Sequence, residues 1–354
     1  MSDDETPIFA AARQANEVLH GDAPALPRPE APRIVTIANQ KGGVGKTTST
    51  VNLAAALALG GLGVLVIDMD PQGNASTALG VDHREGTPSS YELLMWEASI
   101  EDLMQKSPHA EQLYCIPATI DLAGSEIELV GLPHRERRLA EVLHPDDLRL
   151  LGIDYVFLDC PPSLGLLTVN AMVAASEVLI PIQCEYYALE GVGQLLRNVE
   201  LIQQHLNTEL EISTIMLTMY DGRTKLAEQV AGEVRSHFGD TVLRTVIPRS
   251  VKVSEAPGFG MTILQYDAGS RGALAYLDAA REINGRGASS RGVNSQGVTS
   301  QDASDQDAST QDATSQGVSG RGADDPGGDT ATDELVGTPA TGTSADETRP
   351  EESR

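Results

Sequence analysis

Lys41-Gly42-Gly43-Val44-Gly45-Lys46-Thr47-Thr48 sets glycines between two lysines and closes on two hydroxyls. Those residue types in that order suit one task, holding a chain of phosphates. Gly42, Gly43 and Gly45 let the backbone turn its N–H groups inward onto an anion. Lys46 can reach the β- and γ-phosphates, and the Thr47 hydroxyl can ligate Mg²⁺. The general pattern G-x-x-x-x-G-K-[ST] is met over Gln40–Thr47 only if its first glycine is relaxed, so the loop is a variant. Two acidic sites accompany it. Val64-Leu65-Val66-Ile67-Asp68-Met69-Asp70 is an apolar run ending in two carboxylates, and Tyr155-Val156-Phe157-Leu158-Asp159 ends in a third. Asp68 and Asp70 project to one side of an extended chain, which at the carboxyl end of a parallel strand faces the ligand crevice. Asp159, with Pro161-Pro162 fixing the loop after it, suits Mg²⁺ held through its water shell.

These residues need elements to position them, and the flanks supply the right ones. Arg33–Ala38 is a β-branched run that reads as a buried strand. Thr47–Leu59 is rich in Ala and Leu and reads as a helix ending at Gly60-Gly61. A glycine-rich turn that merely contains lysines would not arrive between those flanks. Downstream, strand-like and helical stretches alternate: a strand over 176–182, a helix over 188–205, a strand over 212–219, a helix over 225–238, a strand-like Thr245-Val246-Ile247 and a final helix from Arg271 to Ile283. Such alternation argues for a parallel sheet covered on both faces.

The 354 residues divide into a domain and two tails. Residues 33–284 hold enough apolar residues for a sizeable core. Residues 1–32 read as a flexible N-terminal extension spaced by Pro24, Pro27, Pro29 and Pro32. Residues 285–354 read as a disordered, acidic, low-complexity tail with a degenerate repeat from Ser300, too poor in apolar side chains to offset its chain entropy. No stretch qualifies as a membrane span, because Asn52 and the glycines at 60, 61 and 63 divide the apolar run from Val51 to Ile67; no signal peptide is expected. Cys115, Cys160 and Cys184 lack metal-binding or disulfide spacing and fit a reduced cytoplasm.

A formal net charge of −26 argues against nucleic-acid binding until its distribution is counted. Residues 33–220 carry 10 basic and 24 acidic side chains, whereas residues 221–284 carry 8 of each. Arg223, Arg249, Lys252 and Arg271 fall in this least acidic part, mostly at strand-to-helix connections. From charge alone an ordinary mixed-charge surface is the simpler reading.

The second lysine and several further motifs carry a family resemblance. The KGGxGK[ST] signature at Lys41–Thr47 resembles the ParA/MinD family of deviant Walker ATPases. Asn39-Gln40-Lys41, Asp68-Met69-Asp70-Pro71-Gln72-Gly73-Asn74, the stretch from Gln183 to Gly191 and Ile247–Pro257 are similar to the chromosomal, Soj-type ParA proteins over nearly all of residues 33–284. The resemblance implies an α/β fold, a mostly parallel P-loop NTPase sheet with helices on both faces. It implies an ATPase using ATP and Mg²⁺ that is weak until stimulated. In the family the first lysine crosses a dimer interface to the partner's nucleotide, which implies a trans role for Lys41, neutralising charge that develops at the γ-phosphate. Asp70 would position the attacking water, Asp68 would lie nearer the metal shell, and Asp159 would be the Walker B carboxylate. Family members contact adenine from the position of Pro248 and from an asparagine where this chain has Ser250. Non-specific DNA binding by the ATP dimer would use Arg223 and Lys252, with Arg249 and Arg271 next in line. The family usually has arginine at the second position, and lysine keeps its charge without the bidentate fork. The implied partners are a ParB-type centromere-binding protein, nucleoid DNA and a second copy of the chain, with no membrane.

Three rivals fit less well. A MinD-like membrane-associated cell-division-site ATPase calls for a basic amphipathic C-terminal helix, whereas residues 285–354 hold 13 acidic and 5 basic side chains. A reductase of the nitrogenase iron-protein type needs paired cysteines for a shared cluster. A plasmid partition protein with an N-terminal helix-turn-helix domain needs more than the residues preceding the first strand.

Overall fold

The computed structural model describes residues 25–186 and 190–289. The expected tails over 1–24 and 290–354, and Tyr187, Ala188 and Leu189 with the helix start expected there, lie outside the described residues. Seven strands form one sheet in the order β3-β4-β2-β5-β1-β6-β7. They are β1 (Arg33–Ile37), β2 (Val64–Asp68), β3 (Gln105–Lys106), β4 (Leu113–Ile116), β5 (Tyr155–Asp159), β6 (Glu177–Gln183) and β7 (Glu211–Thr218). All pairings are parallel except β3 with β4.

The near-continuous apolar strands follow from burial on both faces, and alternate residues go to opposite cores. Leu65, Ile67, Val156 and Leu158 join the core on one face. Val64, Val66, Tyr155 and Phe157 join the core on the other. The second face is covered by α1 (Lys46–Leu59), whose small Ala side chains let the C-terminal helix over Arg271–Ser289 pack closely against it. The first face takes the helices over Leu166–Ala174, Glu190–His205 and Lys225–Phe238 through Met172, Val199 and Val234.

Three expectations differ from what is observed. Thr245-Val246-Ile247 is not a strand. Isolated bridges flank the stretch, Val242 to Ile215 and Pro248 to Tyr220, and within it Ile247 alone reaches the β7 edge, donating to the Leu217 carbonyl and accepting from the Tyr220 amide. The Arg244 and Thr245 amides are taken by the Glu282 carboxylate of the last helix, so no ladder forms there. The final helix runs to Ser289, past the expected end at Ile283. Its Asn284 donates to the Pro27 carbonyl, Leu26 N donates to the Gly60 carbonyl, and Arg149 reaches the Glu30 carbonyl. The chain over 25–32 is therefore joined to the domain by one backbone hydrogen bond and by two that side chains of the domain donate to its carbonyls. The helices between Asn74 and Leu150 and the short strands β3 and β4 were not anticipated.

Candidate functional site

β1 lies between β5 and β6, and β2 lies on the far side of β5, so the loops leaving β1, β2 and β5 converge at one edge of the sheet. The loop after β1 turns through Gly43 and Gly45 at φ +74° and +89°, values that an L side chain adopts only at a strain cost. A side chain added at Gly42 or Gly43 would meet open space, so these backbone amides are approachable. Thr218 at the end of β7 donates its hydroxyl to the Val44 carbonyl at 2.8 Å and holds the loop from below. Gly45 caps α1 with no side-chain hydrogen bond, leaving the amides of the first turn for a ligand.

Register pairs Asp68 directly with Asp159 across β2 and β5. Both are fully buried. Asp68 accepts from the Ser76 amide at 2.9 Å and the Ser76 hydroxyl at 2.7 Å. Asp159 Oδ1 accepts from the Thr50 hydroxyl at 2.8 Å, while Oδ2 has no hydrogen-bond partner. Burial, reinforced by Asp68, pushes the Asp159 carboxyl up to about 7 against the opposing Thr47 and Thr50 hydroxyls. Burial likewise pushes Asp68 up to about 6. Lys46 is buried beside them; burial lowers its ammonium, and Asp159 most strongly opposes that. A buried carboxylate with one oxygen lacking a donor, close to Thr47, Thr50 and Lys46, fits a hard cation beside phosphate. Among the described residues no group of three or more His, Cys, Asp or Glu side chains could hold a metal alone. A cation here would therefore share oxygens with the phosphates and water.

Gly42, Gly43, Gly45, Lys46, Thr47, Thr48 and Asp70 line one cleft of about 460 Å³, with Gln72, Asn74 and Pro162 opposite. Asp70 is only partly buried, and its Oδ1 accepts from the Gln72 amide at 3.1 Å. Lys41 is absent from this lining. Its ammonium lies 3.6 Å from Glu185 Oε2 instead. A second cavity of about 250 Å³ adjoins the loop between Gly45, Thr48, Met219, Ile247, Pro248, Ser250 and Tyr276. Its shape and apolar walls suit a nucleotide base. Pro248 and Ser250 both reach it. Met219 stands there at φ +51°, an uncommon conformation for a non-glycine residue.

Arg223, Arg249, Lys252 and Arg271 come together along one open groove of about 970 Å³. Two acids share it. Arg223 is gripped at 2.9 and 2.8 Å by Asp221, whose carboxyl the guanidinium holds down to about 2. Lys252 pairs with Asp267. The strip Pro248-Arg249-Ser250-Val251 lines both the groove and the base-sized cavity.

A variant phosphate loop with a second lysine and paired carboxylates on adjacent strands thus meet in one site. A family model described as an AAA domain matches residues 32–212. The sporulation initiation inhibitor protein Soj of Bacillus subtilis is 52% identical over 255 residues, spanning 72% of this chain and 99% of that one. The chromosome partitioning protein ParA of Caulobacter vibrioides is 51% identical over 255 residues, spanning 72% and 94%. The chain belongs to the ParA/Soj family. Family membership makes it an ATP hydrolase. Among solved structures, the cobyrinic acid a,c-diamide synthase of Mycobacterium smegmatis with a bound ATP analogue and magnesium superposes at a TM-score of 0.60. It is 36% identical and covers 70% of this chain and 93% of its own.

Four contacts in this ParA/Soj-family site have no local sequence signal: Thr50 on Asp159, Ser76 on Asp68, the Tyr276–Ser49 hydroxyl pair at 3.4 Å, and Glu185 on Lys41. Thr50 could have been found from its spacing, one turn beyond Lys46 on the same helix face.

Proposed function

We propose that the protein is a chromosome-partitioning ATPase, a Mg-ATP-dependent homodimer that holds DNA without sequence preference and lets go when hydrolysis is stimulated by a ParB-type centromere-binding protein. The observation that carries this reading is the shared wall, one four-residue strip bordering both the base cavity and the cation-lined groove. Relatives named for chromosome partitioning support it. Its working place would be the cytoplasm, on the nucleoid.

The geometry supports a set of roles for the site residues. The amides of Gly42–Thr48 and the Lys46 ammonium would cradle the phosphates of ATP, with adenine between Pro248 and Tyr276. Thr47 and Asp159, with Asp68 behind it, would hold Mg²⁺, whose contribution is to neutralise charge on the β- and γ-phosphate oxygens. Asp70, in the cleft lining, would orient a water through its carboxylate. Lys41 of one subunit would complete the other's site. Arg223, Lys252, Arg249 and Arg271 would contact DNA phosphates, which position a duplex but do not read its sequence.

The deciding experiment measures binding to random duplex DNA with ADP, ATP and a non-hydrolysable analogue across a salt series. ATP-dependent, sequence-independent binding that weakens with salt is expected. Binding to anionic vesicles in place of DNA would overturn the reading in favour of a MinD-like membrane cycle. No described helix is long and apolar enough to cross a membrane.

A further inference from the structure

The lysine that gives the loop its variant form is held away from its own cleft. Asn39 fixes the backbone on one side: its Nδ2 donates to the Pro181 carbonyl at 2.8 Å, and its Oδ1 accepts from the Lys41 amide at 3.0 Å. β6 therefore ends beside the start of the phosphate loop. Just past that end, Glu185 N donates to the Gln183 carbonyl at 2.8 Å, and Gln183 Nε2 donates to Glu185 Oε1 at 2.5 Å. With one carboxylate oxygen taken by Gln183, the other lies 3.6 Å from the Lys41 ammonium. Both side chains are partly open to solvent, 39% for Lys41 and 48% for Glu185. The carboxylate is thus oriented rather than free, and the lysine it holds does not line the cleft, whereas Lys46, the motif's other lysine, does.

We propose that Glu185 is a positioning residue for Lys41: in the single subunit it neutralises the ammonium and turns it outward, and it must be exchanged for phosphate when two subunits close. This rests on the reading that Lys41 acts in trans. The ammonium has one charge to give. While paired with Glu185 in cis it cannot also meet the partner's γ-phosphate, so each dimer forms at the expense of two such pairs. The exchange is favourable because phosphate carries more charge than a carboxylate and the closed interface excludes water. Glu185 sets the threshold of ATP occupancy and protein concentration at which closure happens, and keeps the lysine extended toward the partner.

The test compares the full chain with Glu185→Gln, Glu185→Asp and Lys41→Ala by sedimentation velocity in Mg²⁺ and a non-hydrolysable ATP analogue. Removing two partly exposed ion pairs per dimer should lower the dimer dissociation constant of Glu185→Gln by roughly two- to thirty-fold. Glu185→Asp, which keeps the charge, should return most of the way to wild type. Fluorescent nucleotide affinity of the monomer should stay unchanged in both, because Glu185 does not line the cleft, and the melting temperature of Glu185→Gln should fall by no more than the loss of one partly exposed ion pair. Dimerisation by Glu185→Gln that equals or falls below wild type overturns the proposal. Lys41→Ala separates the two ideas. If it loses dimerisation while Glu185→Gln gains none, the positioning role alone fails; if it dimerises like wild type, the trans reading itself fails.

Discussion

Replacing Asp159 by Asn should make the ligand-free protein more stable while removing its ATPase activity. Asp159 is fully buried opposite Asp68, and its carboxyl sits at about 7 instead of the 3.8 of an exposed aspartate. Above pH 7 the folded state therefore carries a penalty of roughly 4 kcal/mol on the ionised group, at about 1.4 kcal/mol per tenfold. Asn is nearly isosteric and keeps an acceptor for the Thr50 hydroxyl, but its Nδ2 lands where Oδ2 has no partner, which costs about 1–3 kcal/mol. The charge effect wins, leaving a net gain of about 2 kcal/mol and a rise in melting temperature of roughly 4–8 °C for a domain of this size. The pH dependence has a definite sign. Between about 3.8 and 7 the folded wild type binds more protons than the unfolded chain, so its stability falls as pH rises through that window. The advantage of Asp159→Asn should accordingly be full at pH 8 and reversed at pH 4, where the charge penalty has gone and the cost of the unpaired Nδ2 remains. Scanning calorimetry at the two pH values, with and without Mg²⁺ and a non-hydrolysable ATP analogue, reads this out. The analogue should raise the wild-type melting temperature more than the variant's. A melting temperature at pH 8 no higher than wild type, or an equal gain at both pH values, would refute the reasoning.

Asp70→Ala should retain nucleotide binding, because the cradle is untouched, yet lose hydrolysis and stay trapped on DNA; normal phosphate release in a coupled assay removes Asp70 from the mechanism. Charge removal at Arg223 and Lys252 should weaken binding to all duplexes alike, each residue lowering the logarithmic salt slope by about two per dimer. Unstimulated ATPase should be preserved, and unchanged binding by the double variant would move the DNA surface elsewhere. At Gly63 an added Cβ would lie 1.9 Å from the Gly152 carbonyl oxygen. Gly63→Ala should therefore cost about 1–3 kcal/mol, seen as a lower urea midpoint, and an unshifted midpoint would mean that this backbone contact relaxes freely.

The nucleotide machinery was legible in the sequence because its signals are local. Lys46, Thr47 and the glycines lie within one loop, and Asp68 and Asp159 each end an apolar run whose strand period is plain. The chemistry that supports them was not legible, because it pairs distant residues. Thr50 meets Asp159 across 109 positions, Ser49 meets Tyr276 across 227, and Lys41 meets Glu185 across the width of β1 and β6. The misread strand at 245–247 has the β-branched composition of one, but Glu282 takes the Thr245 amide. β3 and β4, of 2 and 4 residues, are too short to show a period. The four basic residues of the groove were marked by composition and resemblance, whereas their acid partners Asp221 and Asp267 emerged only from the fold.

The strip Pro248–Val251 is a single thickness of chain with a cavity on each side. A wall this thin cannot be recarved on one side alone. Any substitution that enlarges or narrows the base cavity shifts the backbone that carries Arg249, and any change that re-aims Arg249 moves the neighbouring Pro248 ring and Ser250. Mutational drift in this strip is therefore drift in two properties at once. A laboratory selection for altered nucleotide preference should return variants whose groove has changed as well, and a selection on the groove should return variants with altered nucleotide preference.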